Sequence, residues 1–72
     1  GNVDAQMRVA DLDVSGGHVE DAFLRLLELF TASVESDDRT RIRERLLELF
    51  EVVGQADPRA AIARTRLANL LY

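Results

Sequence analysis

The side chains able to do chemistry in this chain gather in three places. His18 stands beside Glu20 and Asp21, residue types that bind metal ions or pass protons, with Asp11 and Asp13 shortly before. A metal site needs three or four ligands, and neither a second histidine nor any cysteine exists to complete one. A catalytic carboxyl needs an apolar surrounding to raise its pKa, and nothing apolar isolates these four acids. We read them as a solvated acidic face, and His18 as an exposed residue at the start of a helix. Arg39, Arg41, Arg43 and Arg45 come next. Alternating in sequence, they split between two sides of a helix, and no aromatic residues interleave with them to stack bases. Structural ion pairs are the expectation. Arg59 and Arg66 make the third place, near each other on one flank of a helix; that spacing could grip an acidic peptide, but solvent exposure or pairing with helix three is the expectation. With no nucleophile–base pair and no metal set, enzymatic chemistry is not expected, and neither is a cofactor.

The elements that position these residues must come from 72 residues, enough for one small domain. Apolar residues are 47% and charged residues 31%, a balance that suits a packed domain and not a disordered tail. No cysteine reinforces the core, so helix packing must hold it. The net charge is −4. Residues 1–38 carry nine acids against two arginines, and residues 39–72 four acids against seven arginines. That sum argues against a nucleic-acid partner. No run of about 18 apolar residues spans a membrane, and the amino terminus lacks a signal-peptide layout, so the expected location is cytoplasmic. Gly1 directly before Asn2 fits a tag-cleavage remnant, and with it a fragment of a longer chain.

Four helices follow from apolar periodicity. Residues 3–14 carry two stripes almost opposite each other: Val3, Met7, Ala10 and Val14, then Ala5, Val9 and Leu12. Asp4 and Arg8 lie between them at i,i+4 spacing. A helix apolar on both sides wants two neighbours, the next helix and either upstream chain or a second copy. Gly16-Gly17 turns the chain. Helix two, from His18 to Val34, presents Val19, Ala22, Phe23, Leu26, Leu27, Phe30 and Val34 on one broad arc, and Leu24 alone on the polar side. Ser36 or Asp37 is expected to cap helix three, Asp38 to Val53, whose seam is Ile42, Leu46, Leu49, Phe50 and Val53. Its wet side pairs Arg41 with Glu44 and Arg45 with Glu48. Asp57-Pro58 opens helix four, an N-cap followed by proline at the first helical position. Ala60, Ala63, Leu67, Leu70 and Leu71 form its apolar face through Tyr72, and Ala61 and Ala68 are small enough for another backbone to approach. Leu70, Leu71 and Tyr72 at the end of that face are expected to be partly exposed. The hexapeptide Arg25–Phe30 recurs as Arg45–Phe50. At 20 residues the period is too short for a helical repeat unit, so the two copies mark adjacent packing helices.

The stretch Gly17-His18-Val19-Glu20-Asp21-Ala22 resembles the G-x-x-x-x-A turn-and-helix of a tetratricopeptide repeat. Asp13 stands where that family usually has Tyr, and Leu29 where Ala is frequent. From residue 39 onward the chain is similar to the carboxy-terminal end of bacterial thioredoxin-like co-chaperones of the YbbN/CnoX type. The residues are Arg41–Gly54, then Asp57-Pro58, then Arg64-Thr65-Arg66-Leu67-Ala68-Asn69-Leu70-Leu71. The resemblance implies an all-α fold of four helices, as two stacked antiparallel hairpins, tetratricopeptide-repeat-like, in a single domain over 1–72. The hairpins would cover 3–34 and 38–72. It also implies a role in holding unfolding proteins and passing them to a GroEL-type chaperonin. Any redox activity would lie in a thioredoxin domain absent from this chain. The expected function is therefore a protein–protein interaction module binding client or chaperonin through apolar helix faces. The candidate contacts are Ala5, Val9, Leu12, Arg59, Arg66, Leu70, Leu71 and Tyr72. The alternative is a helical homodimerisation domain with no client binding.

Overall fold

The computed structural model describes residues 2–72, so Gly1 and its reading as a cleavage remnant lie outside the described residues. Four helices follow one another: α1 (Asn2–Ser15), α2 (Val19–Ala32), α3 (Ser36–Val53) and α4 (Pro58–Leu71). Connections of three or four residues force each helix back against the one before it. The fold is all-α with four helices, as the spacing of apolar residues predicts, and it has the form that the tetratricopeptide resemblance implies.

The first turn owes its shape to Gly17, at φ 85°. Its N–H donates to the carbonyl of Val14, and the His18 N–H reaches back to Asp13. This is a Schellman motif, and the left-handed residue it needs is most cheaply glycine. Asp57 caps α4 as expected, its carboxylate accepting from the Arg59 N–H at 2.8 Å with Pro58 in the first helical position.

The second turn departs from expectation. Helix two ends at Ala32, two residues before Val34, which is 92% exposed and takes no part in the apolar arc. Ser33 leaves the helix in an extended conformation, φ −82° and ψ 133°. Its hydroxyl and N–H both donate to the Leu29 carbonyl, a local exchange that competes with another helical turn. Helix three then begins at Ser36 and not Asp38. Glu35 occupies the N-cap position without a side-chain bond, so neither Ser36 nor Asp37 is the cap. At the other helix ends His18 stands just outside α2, and Tyr72 just beyond α4.

The core is one cluster with α2 at its centre, touching the other three helices. Among the described residues α1 and α4 never meet. Met7 and Ala10 of α1 are buried, with Val3 and Val14 packed beside them. The α2 face runs from Val19 to Phe30, and α3 adds Ile42, Leu46, Leu49 and Phe50. Phe23 and Phe50 meet edge to face, with centroids 5.2 Å apart. From α4 only Ala60, Ala63 and Leu67 are buried, so its core-facing stripe stops short of Leu70. Ala68 is exposed. The first-helix stripe of Met7 and Ala10 faces inward, and the opposite stripe faces out.

Candidate interaction surface

Arginines tie neighbouring helices together at the surface. Arg25 reaches from α2 to Gln6 at 3.0 Å and Asp13 at 3.3 Å on α1. From α3, Arg41 pairs with Asp4 and, at 3.7 Å, with Asp38, while Arg45 pairs with Asp11 at 2.5 Å and Glu48 at 3.8 Å. Asp4 and Asp11 meet Arg41 and Arg45 in the same chain order, so α1 and α3 run parallel. Of the expected local pairs, Arg45–Glu48 is present. Asp4–Arg8 and Arg41–Glu44 give way to partners on a neighbouring helix, because stacking the hairpins brings opposite charges within reach. Arg39 caps α2: its guanidinium lies 4.0 Å from the Phe30 ring centroid and donates to the carbonyls of Phe30 and Ser33. The alternating arginines are therefore mostly structural.

The candidate contacts divide among three places. Ala5, Val9 and Leu12 form an outward strip along α1: Ala5 is half-buried, Val9 exposed, and Leu12 70% exposed. Arg59, Arg66 and Leu70 come together along a cleft between α2 and α4. Leu71 lines a separate small hollow with Phe30, Arg39 and Arg43, and Tyr72 is fully exposed. The α1 strip and the α2–α4 cleft share no residue.

Two members of the cleft are missed by sequence reasoning. Leu24, read there as a lone exposed leucine, and Ile62, 63% exposed, face each other across it. The signal was present on α4, where Arg59, Ile62 and Arg66 fall at i, i+3 and i+7, one flank of a helix. Among the described residues Arg59 does not pair with helix three. It clamps Asp57 in two bonds, Nε to Oδ1 at 3.0 Å and Nη2 to Oδ2 at 2.8 Å. Those bonds and the Arg59 backbone N–H hold the Asp57 carboxyl down at about 2, and Asp57 in turn raises the pKa of Arg59. Arg66 has no hydrogen-bond or ion-pair partner among the described residues.

His18 is exposed, with Nδ1 3.9 Å from an Asp21 carboxylate oxygen. Among the described residues no group of three His, Cys, Asp or Glu side chains could hold a metal ion. No helix of the described residues is long and apolar enough to cross a membrane. The surface offers apolar strips edged by fixed charge, which is equipment for contact with a helix or peptide.

The sequence profile of the tetratricopeptide repeat family matches residues 1–72. The chain belongs to the tetratricopeptide repeat family. It is also 42% identical over 71 residues to uncharacterized proteins of Mycobacterium tuberculosis and Mycobacterium bovis. The alignment covers 99% of this chain and 23% of theirs, so the chain spans about a quarter of those relatives' length. No solved structure matches it. Repeats of this family generally mediate protein–protein interaction, and the surfaces described above suit that role.

Proposed function

We propose that this chain is the protein-interaction module of a thioredoxin-like chaperone protein. It holds exposed apolar segments of unfolding clients, or contacts a chaperonin of the GroEL type. The reading makes the chain itself non-catalytic and cytoplasmic, with any redox chemistry in a separate thioredoxin domain. One observation carries it. Helix α1 turns Met7 and Ala10 into the core yet presents Ala5, Val9 and Leu12 outward, an apolar strip along a helix already anchored from behind. Such a strip contributes binding free energy only when something covers it. The similarity of residues 41–71 to the thioredoxin-like co-chaperones supports the same reading.

The test immobilises the chain and passes over it a chemically denatured client, the same client in its native form, and GroEL. Selective retention of the denatured client or of GroEL is expected, together with slower client aggregation in light scattering. Leu12→Ser with Val9→Ser should abolish retention while helix content by circular dichroism stays unchanged. Retention of none of the three refutes the reading.

A further inference from the structure

The α2–α4 cleft carries a pattern that goes beyond client binding and is independent of it. On α2, Asp21, Leu24 and Glu28 stand at i, i+3 and i+7: acid, apolar, acid. On α4, Arg59, Ile62 and Arg66 stand at the same spacing: base, apolar, base. The two rows are level with each other. Asp21 and Arg59 border the same end of the cleft, Leu24 and Ile62 its middle, and Glu28 and Arg66 the end that runs towards Leu70. Helices α2 and α4 therefore run in the same direction. All six residues are exposed, and among the described residues no ion pair closes across the cleft between the two rows.

We propose that this face binds a second copy of the chain, in a parallel twofold dimer that sets α2 of each copy against α4 of the other. A twofold axis parallel to the two helices exchanges the acidic row with the basic row at constant height. Asp21 then meets Arg59 of the partner subunit, Glu28 meets Arg66 of the partner subunit, and Leu24 packs on the partner's Ile62. Each contact occurs twice by symmetry. The other in-plane axis, perpendicular to the helices, would set acidic row against acidic row and basic against basic, which like-charge repulsion opposes. Arg59 keeps its clamp on Asp57 in this arrangement, because a guanidinium has five donors and the clamp occupies two of its nitrogens. The apolar centre, flanked by charge at both ends, has the layout of a small specific interface.

The experiment is sedimentation equilibrium of the 72-residue chain and two charge-reversed variants. The wild type is expected to dimerise, more weakly as salt rises because the end contacts are screened. Glu28→Arg gives a chain basic on both rows at that level, and Arg66→Glu one acidic on both. Each variant alone should dissociate at least about tenfold more readily, since symmetry places two like-charge contacts in every dimer. Mixed in equal amounts they should form a mixed dimer with affinity near that of the wild type, because both contacts at that level then join opposite charges again. An unfolded variant could not give that recovery, and Arg8→Glu on α1 should change nothing. A monomeric wild type overturns the proposal. So does dimerisation by either variant alone at wild-type strength, or a mixture that fails to recover. None of these outcomes bears on whether the α1 strip retains a client.

Discussion

Removing Arg39 should be among the costliest changes at any charged position of this chain. The side chain is half-buried at the start of α3, yet its work is done on α2. Its guanidinium donates to the Ser33 carbonyl at 3.3 Å and the Phe30 carbonyl at 3.1 Å while stacking on the Phe30 ring. The Phe30 carbonyl also accepts from the Ser33 N–H, so that bond is partly redundant. Among the described residues the Ser33 carbonyl has no such second partner. A hydrogen bond from a charged donor contributes about 1.5 kcal/mol at the low end. A partly desolvated cation over a ring adds about 0.5–1 kcal/mol. Arg39→Ala should therefore cost about 2 kcal/mol, or ~10 °C in melting temperature for a domain of this size. Arg39→Lys keeps the charge and loses the planar stack, and should recover about half of that. Urea denaturation followed by circular dichroism measures both variants. The loss should persist at high salt, because stacking and a partly buried bond are screened far less than an exposed pair. A loss below about 0.5 kcal/mol, the range of ordinary surface substitutions, would refute the assignment of Arg39 as the clasp between hairpins.

Three further substitutions test the fold. Phe50→Ala removes a fully buried ring from the edge-to-face pair with Phe23 and should cost about 3–5 kcal/mol. A chain of 72 residues has only about 4–10 kcal/mol in all, so a largely unfolded population by circular dichroism is the expected result. Gly17→Ala forces a side chain into a positive-φ position and should cost about 1 kcal/mol in urea denaturation, with Gly17→Asn milder. For Asp57, the folded carboxyl titrates at about 2 against an ordinary 3.8. A depressed acid stabilises the fold above its unfolded pKa and loses that contribution as pH falls through the folded one. Stability should therefore decline between about pH 4 and pH 2 in acid titrations, and Asp57→Asn should flatten that decline while keeping the α4 cap.

The helices were legible because apolar periodicity and end signals agree in them. Asp57-Pro58 and Gly17 act through local backbone geometry, which sequence states directly. The end of α2 was not legible. Val34 continues the apolar spacing past Phe30, and the helix stops short of it because Ser33 turns its own hydroxyl back and Arg39 completes the cap from the next helix. A cap supplied from another element leaves no mark at the position it ends. Two of the three expected local ion pairs failed for a related reason, while Arg45–Glu48 formed. Spacing within one helix suggested Arg8 for Asp4, and only the stacking of hairpins brings Arg41 nearer. Of the surface candidates, the α1 strip was visible because two opposite stripes on one helix cannot both face one neighbour. The cleft was hidden because its rows lie on helices far apart in sequence, and each row alone reads as a wet flank.

The two faces make separable demands, and that separation is itself testable. Helices α1 and α4 do not touch, so the Leu12 strip and the Ile62 cleft are joined only through α2 and α3. Those two helices hold the largest fully buried side chains, Leu26, Phe30, Ile42, Leu46 and Phe50. A close-packed core of this kind does not deform smoothly, so changing one exposed apolar contact should leave the other face unaltered. Leu12→Ser should reduce client retention without moving the dimer equilibrium. Ile62→Glu should do the reverse, setting a carboxylate against the partner's apolar Leu24 while leaving the α1 strip intact. Both positions are exposed in the single chain, so helix content and urea midpoint should stay close to wild type. Loss of both activities from either substitution, in a chain that still folds, would mean that client and second copy compete for one surface. In that case the α1 strip would be part of the dimer contact and not a site of its own.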